Sequence, residues 1–285
     1  MVNAVAPPSG LETMFVYHPR PRHDLEVLHR APAGSSQGLS LVFVHGAYAA
    51  AWCWEEYFLP YFAEHGYPCY AFSLRGHGGS EGHEYLALTS LDDYVADLTQ
   101  VVGDIEGPVV LVGHSMGGMV VQQYLHKHSA HGAVLMASVP PEGLLNSALQ
   151  LAFREPQVFL ELNLVHSTDG RHTTIDNIGR ALFSPALPRA DMIRFLTRFQ
   201  PESHRAILDM SFLPFRLQGK ASQVPMLVLG AEKDSFFPPY MIHATAARFG
   251  TQAEIFKDMA HTMMLEPGWR EAAERILVWL STVPR

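Results

Sequence analysis

Apolar runs alternate with amphipathic segments along most of the chain. Runs such as LSLVFVHG (39–46), PVVLVGHS (108–115) and VPMLVLGA (224–231) are almost continuously apolar, which is typical of strands buried on both faces of a parallel sheet. Between two such runs, the segment 90–105 carries apolar residues at helical spacing. The pattern therefore predicts an α/β fold, with a mostly parallel eight-stranded sheet and helices on both faces. The predicted strands are 13–18, 25–30, 39–46, 68–74, 108–115, 132–138, 224–234 and 251–261.

The sequence also predicts a hairpin near the start of the chain and a capped helix after Ser90. A proline-rich segment separates the first two predicted strands, and such segments favour turns, so we expect an edge hairpin there. Ser90 is followed three residues later by Asp93, which resembles a capping box at a helix start.

The alternation stops between residues 141 and 213. This stretch contains short helical patterns interrupted by proline and glycine, among them EGLLNSALQLAF, PQVFLELNLV, TIDNIGRALF and ADMIRFLTRF. After it the strand and helix alternation resumes. We therefore predict one core, formed by residues 1–140 and 214–285, interrupted by a helical cap at 141–213.

Composition narrows the class of protein. The 285 residues are 48% hydrophobic with a formal net charge of −8, which provides a large core and disfavours nucleic-acid or anionic-membrane surfaces. No window approaches a membrane span, and the start lacks the pattern of a signal peptide. Cys53 and Cys69 lie beside aromatic residues and are expected to be buried free thiols. We expect a cytoplasmic monomer or homodimer that acts on a small molecule.

The stretch LVGHSMGG (111–118) contains the candidate nucleophile. Gly113, Ser115 and Gly117 fit the pattern G-x-S-x-G between an apolar strand and a helix. A serine at such a sharp turn is held in a strained backbone conformation, and side chains two residues away on either side would collide with neighbouring elements. The turn also places the hydroxyl at the positive end of a helix, where developing negative charge is stabilised.

A serine hydroxyl needs a base, and the base needs an orienting acid. Asp234 ends one predicted strand and His261 leaves the next, so both belong to the carboxyl edge of the sheet, where loops converge. Asp258 is an alternative acid, but its position three residues before His261 is awkward for orienting the imidazole.

Five segments in order resemble the alpha/beta hydrolases, and the resemblance extends from about residue 25 to the end. The matching segments are FVHGA (43–47), FSLRGHGGS (72–80), GHSMGG (113–118), VLGAEKD (228–234) and MAHTMMLEPG (259–268). The resemblance implies that Ser115 is the nucleophile, that His261 is the general base and acid, and that Asp234 orients His261.

The same resemblance implies an oxyanion hole. Its donors would be the backbone N–H groups of Ala47, which follows His-Gly, and of Met116, which follows the nucleophile. We expect the adjacent Tyr48 and His114 to contact substrate. The segment AWCWEEYF that follows (51–58) is similar to the plant methylesterase and hydroxynitrile lyase branch, although Trp52 and Trp54 are more simply interpreted as packing aromatics.

No metal or cofactor is expected. The chain has 16 histidines, but no grouping combines a recognisable ligand spacing with a supporting carboxylate, so we interpret them as solvated or locally bonded.

The predicted activity is hydrolysis of small to medium apolar carboxylic esters through an acyl-enzyme. Apolar residues in the cap favour an apolar substrate, whereas Arg194, Arg198 and Arg205 are an alternative signal for an acid substrate. The same triad is compatible with carbon-carbon bond hydrolysis, lactonase, thioesterase, cofactor-free haloperoxidase and hydroxynitrile lyase activity. A non-catalytic small-molecule receptor is the alternative from another class.

Overall fold

A computed structural model describes residues 22–154, 156–157, 160, 175–212 and 224–284. Within them lie seven strands: β1 Val27–Arg30, β2 Ser40–Val44, β3 Cys69–Phe72, β4 Val109–His114, β5 Gly132–Met136, β6 Met226–Ala231 and β7 Ala253–Phe256. They form one sheet in the order β1-β3-β2-β4-β5-β6-β7. Strand β1 pairs antiparallel with β3 at the edge, and every other pairing is parallel.

Helices cover both faces of the sheet, as the sequence predicts. Strand residues alternate between the two cores: Leu41 and Phe43 face one, and Val42 and Val44 face the other. The helices that cover the sheet are α1 Trp52–Glu55, α2 Phe58–Glu64, α3 Leu91–Gly103, α4 Met116–Lys127, α9 Pro239–Arg248 and α10 Trp269–Leu280. Helices α1, α2 and α10 contribute to the first core, and α3, α4 and α9 contribute to the second.

Further helices lie between β5 and β6, in the region predicted as a cap. They are α5 Leu145–Arg154, α6 Ile175–Leu182, α7 Arg189–Leu196 and α8 His204–Phe212. Most of the predicted helical pattern at 156–165 lies outside the described residues. The boundaries of the predicted core and cap stay a prediction.

The strand count differs from the prediction of eight. Seven of the predicted strands are present among the described residues. The eighth, at 13–18, and with it the predicted hairpin, lies outside them. The predicted second strand is confirmed as β1, although its partner in the sheet is β3.

Two smaller predictions are confirmed. The Ser90 hydroxyl accepts from the amide of Asp93, and the Asp93 carboxylate accepts from the Ser90 amide, which completes a capping box at the start of α3. Cys53 and Cys69 are both buried free thiols.

Candidate active site

Ser115 lies at the turn between β4 and α4. Its backbone has φ 52° and ψ −118°, a conformation that L-residues with a side chain rarely adopt. The turn is held by its neighbours, because the Ser115 amide donates to the carbonyl of Met136 at 3.1 Å and the Ser115 carbonyl accepts from the amide of Val139 at 3.1 Å. Strained backbone of this kind is concentrated at functional sites.

The glycines around Ser115 are required by close backbone approach. A Cβ at Gly113 would lie 2.5 Å from the carbonyl oxygen of Gly117, and one at Gly117 would lie 2.3 Å from the carbonyl oxygen of Val44. The predicted steric reason for both glycines therefore agrees with the geometry of the turn.

The structure brings Ser115, His261 and Asp234 together from three loops at the carboxyl edge of the sheet. The Ser115 Oγ lies 3.0 Å from Nε2 of His261, and the His261 Nδ1 lies 2.9 Å from Oδ2 of Asp234. All three residues are buried. Both distances are in the range of hydrogen bonds that activate a nucleophile.

The other oxygen of Asp234 is held by backbone. Its Oδ1 accepts hydrogen bonds from the amides of Phe236 at 2.8 Å and Phe237 at 3.0 Å. The alternative acid, Asp258, instead accepts from Nζ of Lys233 at 2.6 Å and is exposed. Asp234 is therefore the carboxylate that contacts His261.

The loop after β2 approaches the serine closely. A Cβ at Gly46 would lie 2.7 Å from Nδ1 of His114 and 3.0 Å from Cβ of Ser115, so only glycine allows this approach. Ala47 follows it, and Met116 is the first residue of α4, whose amide has no acceptor within the helix. Ala47 and Met116 both line the cavity above Ser115.

The neutral imidazole of His45 holds the same loop through two hydrogen bonds. Its Nε2 accepts from the Leu74 amide at 3.0 Å, which leaves Nδ1 to donate to the Gly46 carbonyl at 2.8 Å. Burial, with a smaller contribution from the charge of His77, lowers the pKa of His45 to about 3. His45 is therefore fixed as the tautomer with the proton on Nδ1, and that proton holds the Gly46 carbonyl.

A cavity of about 770 Å³ opens above Ser115. Both residues predicted to contact substrate, Tyr48 and His114, line it. Most of its remaining walls are apolar and come largely from the region predicted as a cap, through Leu144, Leu151, Leu182, Leu196, Phe199 and Ile207. None of the described lining residues is lysine or arginine.

His114 also contacts the loop that carries His261. Its Nε2 donates to the backbone carbonyl of His261 at 2.9 Å. Burial, and then the nearby His261 imidazole, lower the pKa of His114 well below the usual value, which keeps its ring neutral. His114 therefore supports the backbone position of His261 as well as lining the cavity.

Glu202 was not found by the sequence analysis. It lies in the loop before α8, its side chain is completely inaccessible to solvent, and it lines the cavity. Its Oε2 lies 3.1 Å from Nε2 of His77, and its Oε1 accepts from the Tyr94 hydroxyl at 2.6 Å. No motif or periodicity marks this glutamate, and its partners come from distant segments of the chain.

Burial and pairing act against each other on these two groups. Burial alone raises the pKa of the Glu202 carboxyl, but His77 and further donors outweigh it and lower the pKa to about 2. Burial likewise lowers the pKa of His77, but the charge and hydrogen bond of Glu202 outweigh it, and the pKa is raised. Each group of this buried pair therefore favours the charged form of the other.

The pair predicts a pH-dependent contribution to stability. The raised pKa of His77 stabilises the folded state fully below the ordinary pKa of histidine, and this effect is lost as pH rises through the folded-state pKa. The lowered pKa of Glu202 stabilises the folded state fully above the ordinary pKa of glutamate, and this effect is lost as pH falls through the folded-state pKa. We expect the loss of unfolding free energy in His77→Gln to be largest between pH 4.5 and 6.5, the ordinary values of the two groups. Urea unfolding at several pH values measures it. A loss that stays constant up to pH 9 would contradict the charged pair.

The three arginines considered for an acid substrate lie outside the cavity lining. Arg194 pairs with Glu56 at 2.7 Å, Arg205 pairs with Asp209 at 2.7 Å, and Arg198 stacks over the Trp52 ring at 4.4 Å. Trp52 also packs against Phe195, and Trp54 lies in the core, so both tryptophans have packing roles.

Neither a metal-binding cluster nor a membrane-spanning helix is present among the described residues. In this part of the chain, no group of three or more His, Cys, Asp or Glu side chains is arranged to hold a metal ion. Of the helices that the structure describes, none has the length and apolar character needed to cross a bilayer.

Comparison with known proteins agrees with this architecture. The model of the alpha/beta hydrolase family matches residues 41–274. The non-heme chloroperoxidase CPO-A1 of Kitasatospora aureofaciens is 32% identical over 261 residues, or 85% of this chain and 92% of that protein. The non-heme chloroperoxidase of Streptomyces lividans is 37% identical over 118 residues, so the matched segment spans only 38% of this chain and 40% of that relative.

A solved structure shows the same fold. An esterase from Exiguobacterium antarcticum superposes with a TM-score of 0.70 at 17% identity, covering 91% of this chain and 96% of that one. The family model matches most of the chain, and the similarity to the Kitasatospora protein covers 85% of it. This chain belongs to the alpha/beta hydrolase family.

Proposed function

We propose that the protein is a serine hydrolase that cleaves carboxylic esters of small to medium apolar substrates through an acyl-enzyme. The observation that carries this proposal is the hydrogen-bonded line from Ser115 through His261 to Asp234 beneath the cavity. Among the described residues, Nε2 of His261 is the only proton acceptor in contact with the Ser115 hydroxyl.

The geometry supports a two-step reaction. The Ser115 Oγ attacks the ester carbonyl carbon while Nε2 of His261 takes its proton. The carbon–oxygen bond to the alcohol then breaks, and His261 returns the proton to the departing alcohol oxygen. Water, activated by the same imidazole, attacks the acyl-serine and releases the acid. Asp234 keeps Nδ1 of His261 protonated and stabilises the imidazolium in both steps.

The negatively charged oxygen of the tetrahedral intermediate needs hydrogen-bond donors to stabilise it. In this proposal the amides of Ala47 and Met116 supply them, and the N-terminus of α4 adds the positive end of its dipole. Each such donor stabilises the intermediate by about 3 kcal/mol. The mostly apolar cavity wall lowers the local dielectric constant around these donors, which strengthens their interaction with the oxyanion.

The cavity favours an uncharged substrate. Its walls are mostly apolar, and Glu202 is already paired with His77. Without a lining lysine or arginine among the described residues, a substrate carboxylate would be buried without a partner, which is costly.

The acyl-chain dependence tests this substrate class. We expect kcat/KM for p-nitrophenyl esters to rise from acetate to butyrate to hexanoate, because each methylene buried on the apolar wall contributes up to about 0.8 kcal/mol, or about fourfold. Initial rates on the three esters measure it. Rates that are flat or fall along the series would contradict the apolar subsite.

The proposed activity itself is tested with a panel of esters, thioesters and lactones. We expect turnover by the native protein and a rate lower by about 10⁴-fold or more in Ser115→Ala. A native protein without turnover on the whole panel would contradict the proposal and favour the receptor alternative.

The two chloroperoxidase relatives favour cofactor-free haloperoxidase activity as a second candidate. On the same acyl-enzyme, hydrogen peroxide would replace water as nucleophile and release a peracid, which then oxidises halide. Halide oxidation that requires an ester, hydrogen peroxide and Ser115 would support this candidate.

Cytoplasmic location and a monomeric or homodimeric state stay predictions.

A further inference from the structure

The backbone of Tyr48 is held on both sides by one segment of the chain. The amide of Gln200 donates to the Tyr48 carbonyl at 2.9 Å, and the Tyr48 amide donates to Oε2 of Glu202 at 3.2 Å. Tyr48 itself has φ 64°, a conformation that is rare for a bulky residue and persists only where its surroundings hold it. The segment 200–202 provides those surroundings.

The two oxygens of Glu202 have different partners. Oε2 accepts from the Tyr48 amide and contacts Nε2 of His77 at 3.1 Å. Oε1 accepts from the Tyr94 hydroxyl at 2.6 Å and the Ser203 amide at 2.6 Å. Oε1 of Glu202 is therefore held by Tyr94 and Ser203, whereas Oε2 holds the loop after β2 through the Tyr48 amide.

The Tyr48 amide belongs to the same peptide unit as the Ala47 carbonyl. Because a peptide unit is planar, a hydrogen bond to the Tyr48 N–H restricts the rotation of that whole unit about Ala47. The Ala47 N–H belongs to the preceding peptide unit, whose Gly46 carbonyl accepts from the neutral His45 ring. His45 and Glu202 therefore hold the peptide units on the two sides of the Ala47 Cα, and loss of the Glu202 carboxylate leaves one of these two supports missing.

We propose that Glu202 is a positioning residue for ester hydrolysis: through the Tyr48 amide, its carboxylate fixes the loop that aims the Ala47 N–H at the oxyanion. This inference rests on the proposed function, since it takes Ala47 as an oxyanion donor. His77 has the accompanying role of balancing the charge of a carboxylate that has no access to solvent.

Glu202→Gln tests the proposal. The amide offers one acceptor oxygen in place of two, so it cannot accept from both the Tyr48 and the Tyr94 sides. We expect kcat to fall about 10- to 100-fold, the range for a misplaced oxyanion donor, with KM within about twofold. A merely structural loss would instead lower the amount of folded protein and leave kcat per active site unchanged, as titrated with a fluorophosphonate.

A pair of ketone inhibitors gives a direct readout of the oxyanion. An alkyl trifluoromethyl ketone adds to Ser115 and forms an oxyanion, whereas the matching methyl ketone binds without a stable adduct. In Glu202→Gln we expect the inhibition constant of the trifluoromethyl ketone to rise by the same factor as kcat/KM falls. The constant of the methyl ketone should stay within about twofold.

Tyr94→Phe is the matched control. It removes a donor from Oε1 and leaves the Oε2 contact to Tyr48 in place. We expect a lower unfolding midpoint but a kcat within about threefold of native. If Tyr94→Phe and Glu202→Gln reduce kcat equally, or if Glu202→Gln leaves kcat and both inhibition constants unchanged, the positioning role is wrong.

Glu202→Asp keeps the charge if Glu202→Gln does not fold. It withdraws the carboxylate by one methylene from Tyr48, so we expect the same kcat-specific loss, and native-like kcat would contradict the proposal. Failure of the proposed function is distinguishable: a native protein that neither hydrolyses esters nor binds the trifluoromethyl ketone overturns both inferences. An active native protein with an equally active Glu202→Asp overturns only this one.

Discussion

Replacing Ser115 with alanine is expected to lower kcat for ester hydrolysis by about 10⁴- to 10⁶-fold, because residual rates in such enzymes come only from binding and the oxyanion donors. His261→Ala should cost about as much, since the hydroxyl then has no base at 3.0 Å. Asp234→Asn should cost about 10⁴-fold by favouring the wrong tautomer of His261. Initial rates at saturating p-nitrophenyl butyrate measure these losses.

The combined variant is the sharper form of this test. Ser115→Ala with His261→Ala should be no slower than Ser115→Ala alone, because the two groups act as a unit. Circular dichroism and the unfolding midpoint serve as the folding control, since alanine has the same Cβ at the strained position as serine. Losses that multiply in the double variant would show that the two residues act independently.

The second large effect is expected at Gly117. Alanine there would place a Cβ 2.3 Å from the carbonyl oxygen of Val44 and 2.5 Å from that of His45. Both atoms belong to backbone at the end of the central strand β2, which is paired on both sides and cannot yield locally. We expect Gly117→Ala to lose at least about 3 kcal/mol of unfolding free energy, at or beyond the upper end of overpacking costs, measured by urea denaturation.

Gly103→Ala is the control for this prediction. Gly103 is the exposed last residue of α3, and a Cβ there meets nothing within 4 Å. Alanine at a helical position is favoured over glycine by up to about 1 kcal/mol, so the control should be neutral or stabilising. If both variants changed stability equally, the close approach of β2 to the turn would not be the reason for Gly117.

The sheet and the three candidate site residues could be predicted because their signals are local. Buried parallel strands are continuous apolar runs, and the turn at Ser115 needs glycines at fixed offsets, so Gly113 and Gly117 were visible in the sequence. Asp234 and His261 followed from their positions at strand ends, since the carboxyl ends of parallel strands share one edge of the sheet. Their catalytic roles remain proposals, but their proximity is now explained.

Glu202 could not be predicted because its environment is formed by tertiary contacts. Three of its donors, Tyr48, His77 and Tyr94, belong to three separate and distant segments of the chain. A glutamate between a proline and a serine carries no information about such partners. The arginines of α7 and the loop after it were ambiguous for the same reason, since only packing shows that Arg198 stacks over Trp52 outside the cavity lining.

Labelling with a fluorophosphonate shows whether Ser115 is a nucleophile activated by His261, because the reagent phosphonylates activated serines. The adduct is located by mass spectrometry of the digested protein. We expect one adduct on the peptide that contains Ser115, formed rapidly by the native protein, about 10³-fold or more slowly by His261→Ala, and not by Ser115→Ala. Absence of labelling in the folded native protein, or equal labelling of Ser115→Ala, would show that Ser115 is not the activated nucleophile.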